Sequence, residues 1–137
     1  IGIAHGERGN LDEALAALLK AKAVHEDTNT LNSSSGASML NYLALAMERR
    51  GDLDGALETY RHAQRIRKQT GTMETVSGAT LLTNLGTLCK ERGNVEGALL
   101  NYQEALQIHE QTGTLFSSDG ARLLNSRAMA FKAIGKQ

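Results

Sequence analysis

Apolar residues recur along the chain with the spacing of helical faces. In the middle of the sequence Leu40, Leu43, Ala44 and Met47 stand at intervals of three and four residues. That spacing places them on one side of an α-helix, which has about 3.6 residues per turn. After Gly51 a second stripe with the same spacing begins: Leu53, Ala56, Leu57, Tyr60, Ala63 and Ile66. The pattern predicts two helices joined by a short turn.

Polar residues between these stripes predict where the helices begin and end. Side chains that accept hydrogen bonds from the first N–H groups of a helix stand before the second helices: Asn10, Asp52 and Asn94. The polar linkers before the first helices contain three more predicted caps: Ser33, Thr75 and Ser117. Residues that tolerate a left-handed backbone follow the second helices: Asn29, Gly71 and Gly113.

The whole pattern returns every 42 residues. Two sets of glycines show this period: Gly9, Gly51, Gly93 and Gly135, and Gly36, Gly78 and Gly120. Residues 40–81 and 82–123 are identical at 17 of 42 aligned positions, and residues 1–39 and 43–81 at 13 of 39. One helix pair cannot bury its own apolar face, whereas stacked pairs bury it together. The sequence therefore predicts an all-α fold, an α-solenoid of antiparallel helix-turn-helix repeats.

The period also predicts how the chain is organised. We expect one array over residues 1–137, with units at approximately 1–32, 33–74 and 75–116 and a partial unit at 117–137. Ile1 falls inside a first helix and no capping unit is present, so we expect the chain to be a piece of a longer array. Four small residues are predicted where helices cross closely: Ala44, Ala56, Ala63 and Gly86.

Charge and composition narrow the classes of partner. The 15 basic and 15 acidic residues cancel, which argues against a nucleic-acid binder. No apolar run is long enough to span a membrane, so no direct membrane insertion is expected. Cys89 is the one cysteine, which excludes an internal disulfide and favours an intracellular location, most simply the cytoplasm, with an organelle interior as the alternative.

The search for catalytic and metal-binding motifs identifies none. The four histidines, at His5, His25, His62 and His109, form no helical zinc-binding pair. His25 and His109 share a repeat position with Arg67, and this variation predicts a tolerant surface site. Cys89 falls on the predicted core face, which indicates a packed, inert thiol. No phosphate-binding glycine motif is present. We therefore expect no enzyme activity, no cofactor and no metal site.

The spacing of these residues resembles the tetratricopeptide repeat family. Eight residues of one unit carry the resemblance: Leu82, Leu85, Gly86, Cys89, Gly93, Ala98, Tyr102 and Ala105. The usual repeat of this family has 34 residues. The longer period here is similar to the repeats of kinesin light chains, nephrocystin and cell-polarity adaptors. An aromatic residue usual at the position of Leu82, and the proline after the second helix, are absent.

The resemblance implies that the repeats wind into a right-handed superhelix and that first helices line an inner, concave groove. Six residues are predicted to face a partner in this groove: Asn41, Tyr42, Asn84, Thr87, Arg122 and Asn125. Kinesin-light-chain-like grooves use Asn at the position of Asn84. Chaperone-binding relatives hold a C-terminal carboxylate with five residues, of which only two have counterparts here, in Asn84 and Arg122. No carboxylate clamp is therefore predicted, and an ordinary solvated groove wall is the alternative for each polar residue.

Three functions follow as hypotheses. The first is a non-catalytic scaffold that holds other proteins in a larger assembly. The second is an adaptor that captures a short linear peptide in the groove. The third, single-stranded RNA recognition by helical repeats, is disfavoured by the period of 42 and the zero net charge. Arg61, Arg65 and Lys68 form a basic stripe on one second helix, which is either an acidic docking site or a solvated face.

Overall fold

The computed structural model describes residues 2–135, with side chains described for residues 9–135. Six helices follow one another: α1 Gly2–Asp27, α2 Ser34–Arg49, α3 Leu53–Thr70, α4 Val76–Glu91, α5 Val95–Thr112 and α6 Ser118–Gly135. No β-strand occurs between residues 2 and 135. The structure thus confirms the all-α fold that the periodicity predicts.

The helices form two compact units, and the boundary along the chain falls between Thr70 and Gly71. In the N-terminal unit, α2 packs against α3 and also against α1. In the C-terminal unit, α4 packs against α5, and α6 packs against both of them. The α2–α3 and α4–α5 pairs are the two helical hairpins that the sequence predicts.

Capping side chains begin the helices as predicted. The backbone N–H of Gly36 donates to Ser33 Oγ at 3.1 Å, and that of Gly78 donates to Thr75 Oγ1 at 3.1 Å. Equivalent capping bonds are accepted by Asp52, Asn94 and Ser117. Each bond satisfies a backbone donor that the helix itself cannot. These bonds confirm the predicted starts of α2 to α6.

Left-handed residues end the helices, also as predicted. Gly51 and Gly93 join the helices within the two hairpins with φ of 92° and 88°. Gly71 and Gly113, with φ of 69° and 70°, and Asn29, with φ of 56°, follow the second helices in the same left-handed conformation. Glycine has no Cβ to collide with the carbonyl group in this conformation, and asparagine is among the few other residues that adopt it.

The predicted turn at Gly9 and Asn10 is wrong. Helix α1 runs without a break from Gly2 to Asp27, and Asn10 lies inside it rather than at a cap. The left-handed turns at Gly51 and Gly93 each join two helices that pack on one another. The residues before Gly9 continue α1 instead, so their backbone keeps the hydrogen bonds of a helix without needing a turn.

Small residues allow the helices of each hairpin to approach. Ala44, Ala56 and Ala63 have no exposed surface. A Cβ atom at Gly86 would lie 2.6 Å from the ring of Tyr102, so α4 and α5 meet here at the distance that only glycine permits. The contact at Gly86 confirms the predicted close crossing there, and the full burial of the three alanines is consistent with the same role.

The prediction of a surface site at Arg67 and His109 is wrong. Arg67 is 1% exposed and His109 is fully buried, while His25 is half-buried. Each buried side chain makes a hydrogen bond that offsets part of the cost of burying a polar group, Arg67 with Ser38 on α2 and His109 with Thr114. The side chain of His5 lies outside the described residues.

Candidate functional site

The first helices carry the six residues predicted to face a partner. On α2, in the N-terminal unit, Tyr42 is 61% exposed whereas Asn41 is only 8% exposed. The phenol of Tyr42 is therefore accessible to a partner, while the amide of Asn41 lies mostly below the surface. Of these two neighbours on α2, Tyr42 is the better candidate contact.

In the C-terminal unit the structure joins two of the predicted residues. Arg122 Nη1 on α6 donates to Asn84 Oδ1 on α4 at 2.9 Å. Asn84 is 5% exposed, whereas Arg122 is exposed. Because a guanidinium group has five N–H donors, this bond holds Arg122 while leaving it able to donate further. The pair places a fixed positive charge on the surface of the first helices.

Thr87 lies one turn further along α4 and is held by a residue of α5. Its hydroxyl shares a hydrogen bond of 2.9 Å with the hydroxyl of Tyr102, which comes from α5. Burial raises the pKa of Tyr102, and the hydrogen bond to Thr87 partly offsets that rise. Asn125, on α6, is exposed.

This arrangement supplies hydrogen-bonding groups on rigid helices. Within the described part of the chain, no group of three or more His, Cys, Asp and Glu side chains could hold a metal ion. None of the helices described here has the length and apolar character needed to cross a bilayer. Cys89 is half-buried, and Asn101 Nδ2 lies 3.8 Å from its sulfur. The site is suited to recognition by hydrogen bonds and charge.

Arg67 on α3 forms a hydrogen bond to the first helix α2, which the sequence does not suggest. Its Nη2 atom on α3 donates to Ser38 Oγ on α2 at 2.9 Å. Burial lowers the pKa of Arg67 from its usual value, because desolvation disfavours the charged form. Arginine nevertheless stays charged in proteins, so Arg67 provides a cation below the surface of α2.

The buried histidine also has a local partner. His109 Nδ1 lies 2.7 Å from Thr114 Oγ1, and His25 Nδ1 lies 2.8 Å from Thr30 Oγ1. The sequence contains a signal for this contact, because the same pair of residue types recurs with the same separation in two units. The recurrence of a histidine and a threonine five residues apart indicates that the two side chains contact each other. When the histidine position is considered alone, its replacement by Arg67 in the middle unit suggests only that it tolerates substitution.

An open groove between α5 and α6 is a second feature that the sequence does not suggest. It is lined by Glu96, Leu99, Leu100, Gln103, Arg127 and Phe131. The guanidinium carbon of Arg127 lies 5.0 Å from the centre of the Phe131 ring, a cation–π contact. The exposed side chains of Leu100 and Phe131 give this groove an apolar wall.

His62 links the stability of the N-terminal unit to pH. Burial lowers its pKa, Arg65 and Lys22 lower it further, and Glu26 opposes them. The unfolded chain then binds the proton more readily, so we expect the free energy of unfolding to decrease as pH falls through the ordinary histidine pKa of about 6.5. Urea titrations at several pH values across this range measure that dependence. The free energy of unfolding should change less with pH in His62→Gln than in the unmodified chain, and an equal change would contradict the prediction.

The fold and this site define a helical-repeat protein of the α-solenoid class. A family model described as Tetratricopeptide repeat matches residues 35–111, which is more than half of the chain. The chain belongs to the tetratricopeptide repeat family. Such repeats generally mediate protein–protein interaction.

A solved structure supports the same fold. The chain is similar to the crystal structure of BtubC (BKLC) from P. vanneervenii, with a TM-score of 0.83 and 21% sequence identity. The similarity covers 93% of this chain and 51% of BtubC, so the chain spans about half the length of that protein. No curated protein matches the sequence.

Proposed function

We propose that this chain is a non-catalytic scaffold that holds other proteins in a larger assembly. Its membership of the tetratricopeptide repeat family supports this role. The hydrogen bond of 2.9 Å by which Asn84 holds the exposed Arg122 side chain on the first helices of the C-terminal unit also supports it. That fixed cation is the observation on which the proposal depends.

Cross-linking of the native complex followed by mass spectrometry tests the scaffold role. We expect cross-links to neighbouring proteins from residues near the first helices, such as Lys90 on α4 and Lys132 on α6. Turnover of a defined substrate that is lost on changing one polar residue would contradict the proposal.

A specific observation favours a second role, as an adaptor for an extended acidic peptide. Asn84 orients Arg122, and the charged guanidinium suits a carboxylate because it can donate two parallel hydrogen bonds. Thr87 and Asn125 add hydroxyl and amide groups on the same pair of helices. Holding the donor in place in advance lowers the entropy lost on binding.

Removing the fixed positive charge of Arg122 should weaken the binding of acidic peptides. Hydrogen bonds to charged groups contribute about 1.5–3 kcal/mol, so we expect Arg122→Ala to weaken binding about tenfold or more. Asn84→Ala should have a smaller effect, because Arg122 keeps its charge but loses its orientation. Fluorescence anisotropy with labelled extended peptides rich in Asp and Glu provides the measurement.

Arg127→Ala is the matched control for this experiment. It removes the same charge from the same helix, but Arg127 contacts Phe131 and Gln103 rather than Asn84. We expect the affinity of this variant for acidic peptides to remain within twofold or so of the unchanged chain, because Arg127 lies on Phe131 rather than beside Asn84 and a lone charge outside the site contributes little. Equal losses in the Arg122 and Arg127 variants would reject a specific site and indicate non-specific attraction.

A further inference from the structure

Three residues of α2 differ in chemistry from the residues at the same repeat positions of α4. We call the surface formed by Tyr42, Leu45 and Glu48 the α2 patch. Its members are three residues apart, so each is a neighbour of the next on the helix surface. One repeat period later the same positions hold Asn84, Thr87 and Lys90. An aromatic ring, an aliphatic side chain and a carboxylate are thus replaced by an amide, a hydroxyl and an ammonium group.

A buried tyrosine of the second helix orients the carboxylate of the α2 patch. The hydroxyl of Tyr60 on α3 donates to Glu48 Oε1 at 3.1 Å, and Tyr60 has no exposed surface. A carboxylate can accept at both oxygens, so this bond orients Glu48 and leaves it able to accept others. In the C-terminal unit Tyr102 occupies the same repeat position, and its hydroxyl bonds to Thr87 instead. The tyrosine is common to both units, whereas the position of Glu48 changes from an acid to a base, Lys90.

The α2 patch is accessible, and this exposure does not depend on where the sequence begins. Tyr42 is 61% exposed, and Leu45 and Glu48 are half-buried. Asn84, at the repeat position of Tyr42, bonds to Arg122 on the first helix that follows it in the C-terminal unit. This repeat position therefore lies on the side of a first helix that is turned toward the next repeat. A repeat before residue 1 would not cover the ring of Tyr42.

A lysine or arginine side chain fits the three groups of the α2 patch. Its aliphatic stem packs on Leu45 and on the edge of the Tyr42 ring, while its charged end reaches the Glu48 carboxylate. Glu48 also lies in the last turn of α2, where the partial negative charge of the helix end favours a cation. An acidic side chain would instead meet the like charge of Glu48.

Two basic residues follow Glu48 along the chain, and they differ in their effect on a cationic ligand. Arg50 forms an ion pair with Asp12, which offsets its charge. Arg49 is exposed and opposes a cation at the patch. Adjacent residues of a helix do not face each other, so Glu48 rather than Arg49 lies beside the hydroxyl of Tyr60. Removing the charge of Arg49 should therefore strengthen the binding of a basic ligand.

We propose that the α2 patch binds a lysine or arginine side chain of a partner protein. This inference rests on the proposed role in holding other proteins. It adds a site for the charge opposite to the one that Arg122 selects. The N-terminal unit then selects a basic segment of a partner, whereas the C-terminal unit selects an acidic one. Tyr60 acts as a positioning residue, because it orients Glu48 without contacting the ligand.

Fluorescence anisotropy with a pair of labelled peptides tests this site. One is an extended peptide of Lys, Gly and Ser, and the other has norleucine in place of lysine, which keeps the aliphatic stem without the charge. We expect the unmodified chain to bind the lysine peptide more tightly. Glu48→Gln should weaken the binding of the lysine peptide about fivefold and leave that of the norleucine peptide unchanged, because the variant removes only the charge.

Three further variants separate the site from general charge effects. Glu58→Gln removes the same charge from the exposed surface of α3, and the affinity for the lysine peptide should stay within about 1.5-fold. Arg49→Gln should raise that affinity. Tyr60→Phe keeps the ring but removes the bond to Glu48, so it should weaken binding less than Glu48→Gln does. Added to Glu48→Gln, it should cause no further loss, because both changes act through one carboxylate.

Equal losses in the Glu48 and Glu58 variants would overturn the proposal, because they would indicate non-specific attraction. Equal affinity of the unmodified chain for the lysine and norleucine peptides would overturn it as well. An acidic peptide measured alongside distinguishes this failure from a failure of the proposed function. If the acidic peptide binds through Arg122 while lysine is not preferred, the α2 patch alone is rejected. If neither peptide binds and no neighbour is cross-linked, the proposed function fails too.

Discussion

Replacing Gly78 with alanine is expected to destabilise the C-terminal unit strongly. An added Cβ would collide with the carbonyl oxygen of Met73, and a backbone atom cannot move aside as a flexible side chain can. Gly36 and Gly120 stand in the same relation to Leu31 and Leu115. Because forced overlap in a packed interior costs about 1–3 kcal/mol and sometimes more, we expect a loss near the upper limit, about 3 kcal/mol.

Urea denaturation followed by circular dichroism measures this loss. Ser77→Ala is the control, because Ser77 is the exposed neighbour in the first turn of the same helix. A surface change of this kind should alter the free energy of unfolding by less than about 0.5 kcal/mol. If Gly78→Ala were as mild as Ser77→Ala, the close approach of α4 to the preceding loop would be wrong.

Replacing Tyr102 with alanine is expected to be at least as damaging. Its ring is fully buried against the backbone and the Cα of Gly86, so truncation would leave a cavity between α4 and α5. Truncating a buried aromatic residue costs about 3–5 kcal/mol. We expect a loss in this range in the free energy of unfolding, measured by urea denaturation.

Tyr102→Phe separates the packing of the ring from the hydrogen bond of its hydroxyl. This change removes the 2.9 Å bond to Thr87 but keeps the ring. The expected loss is about 0.5–1.5 kcal/mol, the usual net contribution of one hydrogen bond. Losses of equal size for Tyr102→Ala and Tyr102→Phe would show that the ring is not packed as described.

The candidate site was only partly predictable. Asn84 and Arg122 are both expected on the first helices, because their position in the repeat places them there. Their contact was not expected, since it joins residues 38 positions apart and depends on how α6 lies beside α4. Arg67 shows the same limit, because its bond to Ser38 crosses 29 positions.

The apolar side of α6 illustrates the difference between the burial that a repeat position predicts and the burial that the structure shows. Leu82 and Leu124 occupy the same repeat position and predict the same buried role. One is fully buried and the other is 41% exposed, because α5 packs on α4 and none of the described helices packs on α6 in that manner. A repeat pattern identifies which face a helix can bury, but burial itself depends on a neighbour.

The sequence by itself determined helices α2 to α6, their caps, the left-handed residues between helices and the repeat of 42, because each depends on residues within a few turns of one another. Only the tertiary structure decided that α1 passes through Gly9, that Arg67 and His109 are buried, and that Arg122 is fixed by Asn84. Those outcomes depend on which helix packs against which. A repeat pattern shows which face of a helix is apolar, but it does not specify the helix that packs on that face.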